Sequence, residues 1–185
     1  MKPKAGTLVM FLLCAGMHSA IAEGLPATDG TGGSLAPDPG VSPLALDPAS
    51  ACTALKPEGL QARGGYKAVP GAGFRCASGR KPLTTGGAKA HEIRFHAAGT
   101  EDGVERLGLE LAVYSRENMQ RSHRLMVAYA TALTARTLHM TLPEAVSDAI
   151  LGGVVSGRWR VNHREFTLLR KSLSPWGHRL EMTIR

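Results

Sequence analysis

No Cys-x-x-Cys occurs in the sequence, and cysteine itself appears only at Cys14, Cys52 and Cys76. A catalytic dithiol is therefore excluded. Equally missing is a pair of histidines at i and i+4 around a glutamate. The nearest segment, His91-Glu92-Ile93-Arg94-Phe95-His96, spaces its histidines by five. No helical face presents both to one zinc ion at that spacing, and in a strand residues five apart point to opposite faces. No third ligand stands nearby, so these positions read as exposed polar residues of a strand and not as a metal site. Ser156 sits in Val-Val-Ser-Gly, not in the Gly-x-Ser-x-Gly of a nucleophile turn. Gly71-Ala72-Gly73 lacks the third glycine and the following helix of a dinucleotide loop. Glu101-Asp102 has no calcium-loop spacing after it. These patterns supply no catalytic residue, metal site or cofactor.

Two further absences shape the N-terminal region. No apolar run reaches the roughly 20 residues a membrane-spanning helix needs. The longest, Thr7 to Met17, is short and is soon interrupted by His18 and Ser19. From Glu23 to Ala51 there is no Lys or Arg, only the acids Glu23, Asp29, Asp38 and Asp47.

What is present begins with an export signal. Lys2 and Lys4 precede the apolar run, and Ala20-Ile21-Ala22 follows it as a small-x-small cleavage site. Residues 1–22 are read as a signal peptide, with the mature chain starting at Glu23 in the periplasm or outside the cell. Residues 23–46 are rich in Gly and Pro and without periodicity, which predicts a disordered acidic linker. A single domain is expected over 47–185. In an oxidising compartment Cys52 and Cys76 most simply pair. Closing that loop is worth roughly 3 to 3.5 kcal/mol on the chain-entropy model.

Asp47-Pro48 suits a helix start, with Asp47 as N-cap, and the short helix carries Cys52 and Leu55 on one side. Gly64, Gly65, Pro70, Gly71 and Gly73 predict an irregular loop ending in a short strand at 74–76. Ile93, Phe95 and Ala97, then Leu107, Leu109, Leu111 and Val113, alternate with their neighbours around a turn at 99–103, which predicts a hairpin. Met119, Met126, Tyr129 and Leu133 mark a helix over 116–138. Thr141-Leu142-Pro143-Glu144 reads as a capping box for a second helix that stops at Gly152-Gly153. Trp159 and Val161, Phe166 and Leu168, then Leu180, Met182 and Ile184 predict a C-terminal meander with a tight turn or bulge at 162–164. The expected fold class is α+β, a small antiparallel sheet with two or three helices packed on one face.

From Cys52 to Arg185 there are 20 basic and 11 acidic residues, a net charge of +9. Such a domain favours anionic partners. The candidate binding surface is a positive sheet face made by Arg158, Arg160, Arg170 and Arg179, with Trp176 at its rim. Trp176 is expected either as a packed staple, which the burial of most large aromatics favours, or as an exposed contact. The expected function is a non-enzymatic binding or accessory protein of the bacterial envelope. Its expected partner is an acidic protein or envelope polymer, a membrane surface is a further anionic candidate, and nucleic acid is not expected. The alternative is a cell-wall-directed hydrolase or inhibitor-like protein, with histidines and carboxylates gathered by the fold.

Overall fold

The computed structural model describes residues 44–83, 89–153 and 155–185. The signal peptide expected at 1–22, and the linker as far as residue 43, lie outside the described residues. Packing is already in place at Leu44, which is buried, and Leu46 forms a β-bridge with Val104. Both lie ahead of the boundary expected at Asp47.

Helix α1 (Pro48–Thr53) starts as its sequence dictates, the Asp47 carboxylate accepting from the Ser50 amide at 2.8 Å. That contact holds the Asp47 carboxyl below its usual range. Strands β1 (Ala62–Val69) and β2 (Gly73–Ser78) follow as a hairpin. Here the expectation of an irregular loop is corrected. Gly64 and Gly65 take positive φ and form a bulge between Arg63 and Lys67, so a glycine pair marks a kink within a strand and not its end. Cys52 and Cys76 are bonded and staple α1 to β2.

Strand β3 (Lys81–Pro82) is short, and β4 (Glu92–Gly99) and β5 (Val104–Val113) form the expected hairpin. Helices α2 (Met119–Leu138) and α3 (Glu144–Gly152) come next. The capping box does not form. Pro143 is the N-cap of α3 and Glu144 its first residue, one position from the cap and without the reach to bond back to it. At the other end Gly153 closes α3 in the left-handed conformation, as expected. Strands β6 (Ser156–Val161), β7 (Arg164–Ser172) and β8 (His178–Ile184) complete the chain. Asn162 and His163, both at positive φ, make the two-residue turn between β6 and β7.

All eight strands join one antiparallel sheet in the order β1-β2-β4-β5-β8-β7-β6, with β3 beside β4. The fold class is α+β. The pairing of β5 with β8 joins the hairpin to the C-terminal meander in one sheet, as expected, and the addition of β1, β2 and β3 makes that sheet larger than the small one expected. On one side, Ile93, Phe95, Leu109, Leu111, Phe166, Leu168, Leu180 and Met182 form a core with Leu55, just after α1, and with Met126, Leu133, Val146 and Ile150 of α2 and α3. Strand alternation leaves the other side polar, and that side holds most of the charge.

Candidate functional site

Register fixes which charged residues share the polar face. Arg75, Ala98 and Arg106 lie in one row across β2, β4 and β5. Ala77, His96, Gly108 and Thr183 form the next row, and Arg94, Glu110 and Glu181 the one after. Strand pairing further places Arg158 beside Thr167, Arg160 beside Glu165, and Lys171 beside Arg179.

The face divides by how its cations are neutralised. Glu110, buried on the central strand β5, is met by Arg94 at 2.6 Å, Arg179 at 3.3 Å and Arg80 at 3.7 Å. The long arginine side chains cover it, which is why β5 is buried on both sides through its middle. Glu165 is likewise buried, with Arg158 and Arg160 each 3.7 Å away. Lys171 pairs with Glu181 at 2.8 Å. Three of the expected site residues, Arg158, Arg160 and Arg179, thus lie on this face but partly satisfy carboxylates within it.

Arg170 does not lie there. It pairs with Leu180 in the register and reaches the helical side, donating to the Gly153 carbonyl at 2.7 Å and to His178 Nδ1 at 3.3 Å. Period two from Phe166 and Leu168 was the signal that would have placed it. Trp176 is exposed and not a packed staple, with the Arg116 guanidinium stacked on its ring at 4.0 Å. It lines a groove of about 590 Å³ together with Arg170, Met119 and His178, apart from the arginines of the polar face. The expected constellation therefore splits in two.

The helical side gathers three histidines. His91, expected to be exposed, is buried, with Nδ1 at 2.8 Å from the Ser122 hydroxyl and Nε2 at 3.3 Å from that of Ser115. His123 and His178 meet through their Nε2 atoms at 2.9 Å. Ser122 and His91 are within hydrogen-bond distance and both are fully enclosed, so the pair ties α2 to the start of β4. Burial pushes the His178 imidazole down to about 4, aided by the Arg170 charge, and lowers His91 and His123 as well. These rings are neutral packing partners at neutral pH. Among the described residues no group of three or more His, Cys, Asp or Glu is placed to hold a metal ion, and no helix is long and apolar enough to cross a membrane.

The end of the polar face that sequence reasoning missed lies over β2, β4 and β5. Arg75 and Arg106 flank Ala98, both exposed and neither with a carboxylate partner among the described residues. Together with Arg94, His96, Ala72 and Thr183 they line a depression of about 400 Å³ that no acidic side chain enters. The His96 ring lies across Gly108, where a Cβ would overlap it. That close approach explains a glycine in the middle of a central strand. Burial lowers the His96 pKa, with a further push from the Arg94 charge.

No family model matches the chain, and comparison with curated proteins and with solved structures finds no match either.

Proposed function

We propose that the chain is an exported, non-enzymatic binding domain of the bacterial envelope that uses the polar face of its sheet to hold an anionic partner. The observation that carries this reading is the row Arg75-Ala98-Arg106. Adjacent strands lie about 4.8 Å apart, so the two arginines stand roughly 10 Å from one another at the backbone. Two like charges at that separation, facing no carboxylate, repel each other in the free domain. An anion laid along the row removes the repulsion, and the domain's net charge of +9 from Cys52 onward draws such a partner in.

An acidic partner of extended shape suits the surface, because cations continue along the face from Arg75 to Arg158 while the carboxylates beside them are already engaged. The groove beside Trp176 lies apart and is not needed for this reading. The test is binding of the mature protein to a soluble acidic polymer, polyglutamate, across a salt series. Affinity should fall steeply as ionic strength rises, since exposed charges are screened beyond about 8 Å at physiological salt. The Arg75→Gln/Arg106→Gln variant, which leaves no carboxylate stranded, should bind more weakly while melting at the same temperature. Binding indifferent to both salt and this substitution would reduce the arginines to solvated surface.

A further inference from the structure

We propose that the depression formed by Arg75, Arg94, Arg106, His96 and Thr183 is a binding site for one phosphate group carried on a larger molecule. The inference rests on the reading of the polar face as an anion-binding surface and names the chemistry of what sits there.

Three observations lead to phosphate. The cations approach from three strands, Arg75 on β2, Arg94 on β4 and Arg106 on β5, around the small residue Ala98. A planar carboxylate is satisfied by one guanidinium fork, whereas a tetrahedral dianion offers oxygens in several directions and up to two charges. Next, Arg94 Nε and His96 Nδ1 are both buried and find no hydrogen-bond partner among the described residues. Buried polar atoms are nearly always paired, and two orphans on two residues of the same depression point to a polar ligand. Finally, Thr183 adds a hydroxyl that donates or accepts, as a protonated or ionised phosphate oxygen requires.

The size of the site says how the phosphate arrives. A cavity of about 400 Å³ exceeds what a bare phosphate fills, given roughly 30 Å³ for a water molecule. The remaining space runs over Ala72 and Ala98, uncharged positions that accept a carbon substituent. The phosphate is therefore a monoester or diester on a lipid headgroup or on a phosphorylated polymer. His96 is faced by Arg75, Arg94 and Arg106 and by the carboxylate of Glu110. A phosphate placed among the arginines offsets their charge, so binding draws a proton onto the ring.

The experiment is calorimetric titration of the mature protein with inorganic phosphate, glycerol 3-phosphate and acetate at matched ionic strength. One saturable site is expected for both phosphates, with acetate weaker. Arg75→Gln/Arg106→Gln should lower phosphate affinity roughly tenfold or more, since charged hydrogen bonds are lost. Lys171→Gln, on the same face but away from the depression, should leave it unchanged. His96→Gln should keep binding but take up fewer protons on it, read at one pH from how the binding heat changes with the ionisation enthalpy of the buffer. Vesicles containing phosphatidic acid that compete with glycerol 3-phosphate assign the site to a lipid headgroup. Vesicles that fail to compete assign it to a soluble phosphorylated polymer. Acetate binding as well as phosphate, or an unchanged affinity in the Arg75→Gln/Arg106→Gln variant, would overturn the site. If polyglutamate still bound in a salt-dependent way in that case, the wider anion-binding reading would stand without it.

Discussion

The Nε2 atoms of His123 and His178 lie 2.9 Å apart, so one imidazole donates to the other. The direction is fixed by Arg170. A guanidinium only donates, so His178 Nδ1, at 3.3 Å from it, is the bare nitrogen and Nε2 carries the proton. His178 therefore gives its hydrogen bond to His123, and neither ring accepts a second proton without facing Arg170 or its neighbour as a like charge.

Stability should accordingly depend on pH in one direction. The folded His178 pKa, pushed down to about 4, lies below the ordinary 6.5, so the unfolded chain binds the proton first. Its contribution is fully present above pH 6.5, falls through the interval, and is lost below about 4. At about 1.4 kcal/mol per pKa unit the loss is about 3 kcal/mol. His91, His96 and His123 are shifted the same way and add to it. Urea unfolding at pH 7 and pH 4.5 measures this, and His178→Gln should flatten the difference while lowering stability at pH 7. Equal stability at both pH values would mean that the rings are not held neutral.

Arg170 belongs to this network and not to the binding face. It ties β7 to the Gly153 carbonyl at the end of α3 and to His178. Arg170→Ser should cost roughly 2 to 3 kcal/mol of stability, since it removes two hydrogen bonds from a charged donor. Polyglutamate affinity of the folded fraction should be little changed. Loss of binding without loss of stability would return Arg170 to the surface role the sequence suggested.

How much was legible depended on whether the information was local. The β4–β5 hairpin, the α2 stripe, the turn at Asn162-His163 and the Asp47 cap each follow from neighbours within a few residues, and all four are present. The Cys52–Cys76 pair followed from compartment and count. The glycine bulge of β1 was misread because Gly64 and Gly65 look like a loop until β2 is there to pair with. The depression was out of reach for a different reason. Arg75 and Arg106 come together only because β2 skips β3 to pair with β4, a choice of sheet order that no local pattern carries.

Glu165 makes Arg158 and Arg160 interdependent. The carboxylate is buried, and each guanidinium is 3.7 Å from it. Replacing either arginine by Ser leaves the other in place and should cost under about 0.5 kcal/mol, as at most exposed sites. Replacing both removes two cations from a buried carboxylate and should cost about 1 to 2 kcal/mol at pH 7. Adding Glu165→Gln to the double variant should recover most of that. Thermal melts of the single, double and triple variants decide it, and strictly additive small losses would refute the coupling.

Glu110 sets how freely Arg94 serves the depression, since its carboxylate holds Arg94 at 2.6 Å. Glu110→Gln should raise phosphate affinity several-fold by releasing that guanidinium. It should also destabilise the domain by about 1 to 2 kcal/mol, because Arg80 and Arg179 lose their shared partner while still reaching water. Opposite signs for binding and stability are the expected signature. A loss of both would mean that Glu110 orients Arg94 for the ligand and does not compete for it.

The last prediction joins the disulfide to the export signal. The chain has three cysteines, and Cys52 is bonded to Cys76, so only Cys14 is left to react. Cys14 lies in the segment proposed to be removed on export. A chain that keeps residues 1–22 should show one reactive thiol when titrated under denaturing, non-reducing conditions. A mature chain starting at Glu23 should show none, and its intact mass should match that start less two hydrogens. The substitutions Cys52→Ala and Cys76→Ala together should then destabilise the mature domain by roughly 3 kcal/mol, because the open loop regains its freedom in the unfolded state. A single free thiol in the exported protein would mean the leader is retained as an anchor. Two or more free thiols would instead break the staple between α1 and β2, on whose second strand Arg75 stands.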